Sequence, residues 1–381
     1  MRVIALSNEF DFKKEFAKIG SSMAGVKIME KKSKLYFFYI KDLKTPAANI
    51  LKQDSLSIGA DLVVPKDTIC CKDEFVDAIL IATKRELEIL IKKQKLQPFG
   101  LKELSSNLKD LIDQKRYRPK IMGIINANSD SFYQNSRFMN KEAITKIEQM
   151  IQDKADIIDI GAVSSRPGSI GVSQKEELER LKPIIDSIYK QKLHDKVIFS
   201  LDSYQIKPIE YALERGFKMI NDITGLKDDK VCSLVASYGA SAVIMHMQKN
   251  PKDMQKNPTY ENVILDIEDF FQQRISKAKD FGIKDIILDV GIGFGKSLEH
   301  NLILLKHLRH FKKFGYELLV GASRKSMIDM ISKSLVDDRL AGSLILHINA
   351  IKEGASIIRV HDIKEHIQAI KVQQALDEVL L

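Results

Sequence analysis

Polar side chains that follow short apolar runs in this 381-residue chain fall into two chemical groups. Asp202, Asn221 and Asp289 offer hydrogen-bond acceptors suited to the edge of a planar heterocycle with adjacent N–H donors, such as a 2-amino-4-oxo ring. A carboxylate set among apolar residues needs such a partner, because burial without one is costly. Arg166, Lys325, Arg359 and His361 form a second, cationic group suited to phosphate oxygens. Together the groups fit a flat polar ring that carries a phosphorylated leaving group. No protein nucleophile accompanies them: there is no Gly-x-Ser-x-Gly elbow, and Cys70, Cys71 and Cys232 lie away from these positions.

The stretch Asp289-Val290-Gly291-Ile292-Gly293-Phe294-Gly295-Lys296-Ser297 invites a phosphate-loop reading. A dinucleotide fingerprint would need its third glycine where Lys296 stands, and a P-loop would need its first glycine at Val290. Both templates miss by one residue, and a cradle of backbone N–H groups depends on loop length. The stretch reads better as a carboxylate followed by a glycine hinge, with Ser297 capping a helix that begins at Leu298.

Placing these groups together requires a repeating scaffold, and the C-terminal two-thirds supplies one. Eight β-branched runs end in polar or glycine-containing clusters: Lys120–Asn126, Asp156–Ala162, Lys196–Asp202, Lys218–Ile223, Ser241–Met247, Asp285–Gly291, Glu317–Ser323 and Ser356–Asp362. Between them lie segments of helical spacing, such as Leu298, Leu302, Leu305 and Leu308. Strands alternating with helices imply a parallel sheet, and eight such units predict a (β/α)8 TIM barrel. The ends of its strands, where barrel enzymes carry their chemistry, include Asn126, Asp159, Asp202, Asn221 with Asp222, His246, Asp289, the Ser323–Ser326 cluster and Arg359–Asp362.

Residues 1–115 read as a smaller α/β domain of unknown role before the barrel of 116–381. Val3–Leu6, Lys34–Ile40, Leu62–Val64 and Ala78–Ile81 are its candidate strands and Glu86–Leu96 its candidate helix. The segment Arg116-Tyr117-Arg118-Pro119 marks the boundary, since Pro119 is poorly compatible with a continuing helix. The formal charge of +9 is uneven: residues 1–120 hold 24 Lys and Arg against 16 Asp and Glu, a net of +8. These lysines are scattered, without a nucleic-acid motif, and read as a solvated face rather than a nucleic-acid partner surface. No apolar run approaches a bilayer span and no signal peptide is evident, so a cytoplasmic protein without a membrane partner is expected. Three cysteines, two of them adjacent, support free thiols. His307 and His310 are three apart without a third ligand and read as solvated or capping groups; His246 fits either a ring-binding role or a satisfied core position.

Over residues 118–381 the chain resembles the bacterial dihydropteroate synthase family. The matching stretches are IMGIINANSDSF, DIIDIGAVSSRPGS, SLDSY, INDITG, MHMQ, DVGIGFGKSLEHN, GASRKS and RVHD, in the family's order. The resemblance implies a cytoplasmic transferase of folate and tetrahydrofolate biosynthesis that condenses 6-hydroxymethyl-7,8-dihydropterin diphosphate with p-aminobenzoate. It implies Mg²⁺ on the diphosphate with Asn126 as a ligand, and a homodimer is expected. Asp202, Asn221, Asp289 and Lys325 would hold the pterin, with Arg359 against it. Arg359 and His361 would bind the diphosphate, and Lys325, Arg359 and His361 are the catalytic set. Ser165 and Arg166 would close over the site, and Phe294, Ser326 and Pro167 would form the p-aminobenzoate slot.

Three stretches depart from the family pattern. Asn126–Phe132 lacks the usual proline, Ala162-Val163-Ser164-Ser165 replaces the usual Gly-Glu-Ser-Thr, and Val290 stands where the family has proline. The alternatives are a pterin-dependent methyltransferase, which would not need the Ser323–Ser326 and Arg359–Asp362 cations, and a non-catalytic pterin-binding scaffold.

Overall fold

The computed structural model describes residues 3–4, 12–112, 117–127, 136–163 and 172–379, with the backbone alone at 136–140. The chain divides into two compact units, one comprising Met1–Gln114 with Val372–Leu381 and the other Lys115–Lys371.

In the first unit α1 (Phe12–Lys18) and α2 (Met23–Glu30) precede β1 (Leu35–Lys44), α3 (Thr45–Leu56), β2 (Asp61–Val63), β3 (Phe75–Thr83), α4 (Lys84–Gln94) and α5 (Leu101–Ile112). The three strands form an antiparallel sheet in the order β1-β3-β2. Alternate residues Val76, Ala78, Leu80 and Ala82 of β3 are buried, the two-residue period of a sheet covered on one face. They pack with Leu51, Leu87, Leu90, Leu101 and Leu108 of the helices as a core of its own. Helix α4 starts at a capping box, in which Thr83 and Glu86 satisfy each other's backbone N–H groups. The expected strands at 34–40, 62–64 and 78–81 and the helix at 86–96 are present with shifted ends. Val3 and Ile4 of the expected strand 3–6 are not in a strand; its other two residues lie outside the described ones.

In the second unit eight strands close into a parallel barrel: β4 (Lys120–Asn126), β5 (Ile157–Gly161), β6 (Ile198–Asp202), β7 (Met219–Asp222), β8 (Ser241–Met245), β9 (Ile286–Asp289), β10 (Glu317–Val320) and β11 (Ile357–Val360). Each is followed by helix: α6 (Ser136–Gln152), α7 (Gln174–Lys190), α8 (Ile206–Leu213), α9 (Asp229–Ser237), α10 (Val263–Asp280), α11 (Leu298–Lys306), α12 (Ser326–Ile331) with α13 (Leu340–Lys352), and α14 (Ile363–Glu378). The expected barrel preceded by a smaller domain is therefore the fold. All residues of β5, β7 and β9 are buried, as strands covered on both faces must be.

The barrel interior explains where the polar residues go. Met122, Ile157, Met219, Val243, Ile287, Leu319 and Ile357 form one buried cluster inside the ring. Side chains repeat their direction every second residue along a strand. Asp159, Asn221, Asp289 and Arg359 each stand two residues beyond a member of that apolar layer. One turn of the pleat thus carries the interior from an apolar plug to a polar floor at the C-terminal mouth.

Candidate active site

Three of these residues form one network with Asp202. Arg359 Nε donates to Asp159 Oδ2 at 2.6 Å and its Nη2 to Asp202 Oδ2 at 2.9 Å. Asn221 Nδ2 donates to the same Asp159 oxygen at 3.0 Å. Asp159 is fully buried, and the Asp202 and Arg359 side chains are 14% and 20% exposed. Guanidinium–carboxylate bonds this short are charge-assisted and hold both partners in register. Asp159 Oδ1 and Asn221 Oδ1 are buried acceptors with no hydrogen-bond partner; a donor there would recover about 1–3 kcal/mol for each. Burial raises the Asp202 pKa to about 7, opposed by Arg359 and reinforced by Asp159.

Asp289 ends β9 and accepts the Gly291 N–H at 2.8 Å. Burial raises its pKa. The hinge after it has positive φ at Gly291, Gly293 and Gly295, of 69°, 83° and 62°. A Cβ on Gly291 would stand 1.9 Å from the His246 carbonyl oxygen, so the chain passes too close for any side chain. The hinge leads to Phe294, whose ring centroid lies 4.6 Å from Lys325 Nζ. Lys325, at the start of α12, also donates to the Ile292 carbonyl. Burial lowers its pKa to about 8, with Asp289 opposing, so the ammonium can still donate near neutrality. Ser297 caps α11 in a capping box with His300, as expected.

The anion side is cross-braced. Ser323 Oγ lies 3.0 Å from His361 Nδ1, and Arg324 donates two bonds to the Asp362 carboxylate at 3.0 and 2.6 Å. Burial and the adjacent Arg359 lower the His361 pKa to about 4. His361 is exposed at the mouth, where its ring can donate a hydrogen bond to an anion beside the charges of Lys325 and Arg359. Asn126 is exposed at the end of β4 and Ser326 is exposed at the start of α12. Ser165, Arg166 and Pro167 lie outside the described residues.

Several residues took roles the sequence did not assign. Asp222 spends its oxygens on Thr224 and Leu226 of its own loop. Asp159 emerges as the network's hinge point; its signal was a carboxylate inside the apolar run DIIDIGA, which needs a buried partner. Lys296, read from sequence only as a near-miss P-loop lysine, is buried. Its Nζ reaches His246 Nδ1 at 3.0 Å and the Phe294 carbonyl at 2.9 Å, tying β8 to the glycine hinge. His246 also packs edge-on against Phe270, with centroids 4.9 Å apart, which is the satisfied core position. His310 pairs with Glu268.

A closed parallel barrel with ring-edge acceptors and cations at one mouth defines a barrel enzyme built around a flat polar substrate. Residues 122–361 match the family described as pterin binding enzyme, and the chain belongs to that family. It is 43% identical over 377 residues to the bifunctional dihydropteroate synthase/dihydropteroate reductase of Helicobacter pylori, covering 99% of each chain. It is 38% identical to the dihydropteroate synthase of Escherichia coli over 68% of this chain and 91% of that one. Among solved structures, the Yersinia pestis dihydropteroate synthase with a sulfonamide drug complex is 37% identical, with a TM-score of 0.64 over 68% of this chain and 94% of that one. The Thermus thermophilus synthase in complex with 4-aminobenzoate is 33% identical, with a TM-score of 0.61 over 68% and 95%.

Proposed function

We infer that the barrel is a dihydropteroate synthase, condensing 6-hydroxymethyl-7,8-dihydropterin diphosphate with p-aminobenzoate to give 7,8-dihydropteroate and diphosphate. The observation that carries this is the interior polar floor. Asp202, Asn221 and Asp289 present acceptors to one ring edge, while Lys325 and Arg359 lie beside it as cations. A methyltransferase reading would account for the acceptors and leave the braced cations of the β10 and β11 ends without a task.

In the reaction the amine nitrogen of p-aminobenzoate attacks the pterin methylene carbon. The carbon–oxygen bond to diphosphate breaks, and the amine loses a proton. Asp202, Asn221 and Asp289 bind and orient the pterin, and Lys325 donates to it from the hinge side. Arg359 and His361 donate to the departing diphosphate, which is electrostatic stabilisation with no covalent protein intermediate. Phe294, Ser326 and Pro167 are assigned to p-aminobenzoate, and Ser165 and Arg166 to substrate binding. Holding the two in line supplies much of the acceleration.

Mg²⁺ belongs to this reading. Among the described residues no cluster of His, Cys, Asp or Glu could cage a metal. The exposed carboxamide of Asn126 fits a hard cation that takes one protein oxygen and completes its shell with waters and phosphate oxygens. When bound, the ion neutralises charge on the diphosphate. We propose a homodimer in the cytoplasm; among the described residues no helix is long and apolar enough to cross a membrane.

We propose a second activity for the N-terminal unit. The Helicobacter pylori relative aligns along 99% of this chain, the N-terminal unit included, whereas the E. coli synthase aligns along 68%. We propose that the unit serves reduction of dihydropteroate: a hydride and a proton add across the one C=N bond left in the dihydropyrazine ring, with a reduced nicotinamide or flavin as donor.

The test is diphosphate release from the pterin diphosphate with and without p-aminobenzoate. Release should require the second substrate and fall by roughly 100-fold in Lys325→Ala, the scale of losing one transition-state donor. Equal release without p-aminobenzoate, or near-normal turnover in the folded variant, sinks the assignment.

A further inference from the structure

Behind the two loops that carry the cations lies a pair of side chains the reaction does not use. His347 of α13 and His366 of α14 are 0% and 1% exposed. The Ala322 N–H donates to His347 Nε2 at 3.0 Å. His347 Nδ1 lies 2.8 Å from His366 Nε2, and His366 Nδ1 lies 2.6 Å from the Asp362 carbonyl oxygen.

This chain has only one polarity. A backbone N–H can only donate and a carbonyl oxygen can only accept. His347 Nε2 must therefore present a lone pair, and its proton sits on Nδ1. That proton is given to His366 Nε2, and the His366 Nδ1 proton goes to Asp362. Both rings are neutral, and both are Nδ1–H tautomers. Burial opposes protonation of either ring. Charge on His366, Lys325 or His361 also opposes it at His347, while Asp362 and Glu365 favour it at His366; Asp362 is itself paired with Arg324.

The ends of the chain matter. Ala322 lies three residues before Lys325, and Asp362 lies three after Arg359. The surface braces Ser323–His361 and Arg324–Asp362 span the same two segments, and the buried pair spans them from beneath.

We propose that His347 and His366 form a positioning relay that fixes the β10 loop against the end of β11. It thereby sets the spacing of Lys325 from Arg359 and His361 for a pterin joined to a diphosphate. The proposal rests on the synthase reading of the site. Neither histidine touches substrate. Replacing either ring by an apolar side chain leaves a buried donor or acceptor without its partner, and the two loops lose their common brace.

The experiment has two arms. In the full-length protein labelled with ¹⁵N-histidine, long-range ¹H–¹⁵N spectra should show two rings locked as Nδ1–H tautomers that do not protonate down to pH 5.5. Each leucine variant should lose the resonances of the ring it replaces. In steady-state assays the leucine variants should raise the KM for pterin diphosphate about tenfold and leave that for p-aminobenzoate within twofold. His366→Gln should restore the KM, because its carboxamide can accept from His347 and donate to Asp362. An Nε2–H tautomer at either ring overturns the relay, as does a folded leucine variant with both KM values unchanged. If the leucine variants do not fold, the tautomers and His366→Gln decide. If the protein lacks synthase activity altogether, the tautomers and the affinity for inorganic diphosphate, expected to fall about tenfold in the leucine variants, judge the relay apart from the reaction.

Discussion

Glu177 shows how a single buried carboxyl reports on its surroundings. It lies on the first turn of α7, 1% exposed, with Oε1 lacking a hydrogen-bond partner. Burial raises its pKa to about 7, with Ser203 and Arg180 opposing. A carboxyl whose folded-state pKa exceeds its unfolded value costs stability progressively as pH rises between the two. From the unfolded 4.5 to about 7 the cost reaches on the order of 3 kcal/mol. Glu177→Gln removes that dependence. Its Tm should therefore gain on the parent by several degrees between pH 5 and pH 8; a difference that stays constant with pH would show that Glu177 titrates normally. At this scale the sequence was partly legible. Asp202, Asn221, Asp289 and Lys325 announced themselves as polar groups ending apolar runs. The Asp159–Arg359 bond did not, because nothing local connects two residues 200 positions apart.

At the level of elements the glycine hinge makes the sharper prediction. Gly239, between α9 and β8, has φ of 60° and open space where a Cβ would go, whereas Gly291 has φ of 69° and a backbone oxygen in the way. Gly239→Ala should carry only the left-handed penalty of about 1–2 kcal/mol. Gly291→Ala adds a clash that must move β8 or the hinge. It should lower Tm at least twice as far and raise the KM for p-aminobenzoate through Phe294; equal losses in the two variants would discount the close approach. Element types were readable from periodicity, and β4 begins and ends where its apolar run does. Other ends were not. Asp156 reads as the first residue of a strand but sits just outside it, accepting the Ile121 N–H through its side chain. β1 outlasts its apolar run because a register shift between Ile40 and Leu43, with Asp42 at φ of 52°, lets the strand continue to Lys44. Asp77, across the sheet, accepts the Asp42 N–H, and no local pattern signals such a long-range contact.

For the molecule as a whole, separate cores predict separable parts. Because Val372–Leu381 group with the first unit, the informative fragment is residues 115–371. It should fold with cooperative unfolding and retain diphosphate release within about fivefold, while losing any reduction of dihydropteroate. An insoluble fragment, or one that reduces dihydropteroate as well as the parent does, would reject the division of labour. The Arg359 network also bears on how the chain is made. Asp159 and Asp202 leave the ribosome long before residue 359, so the two carboxylates are made before the cation that pairs them. The last strand of the ring brings that cation. β11 is thus a latch as well as a wall: the strand that completes the ring also carries the charge that joins its two carboxylates.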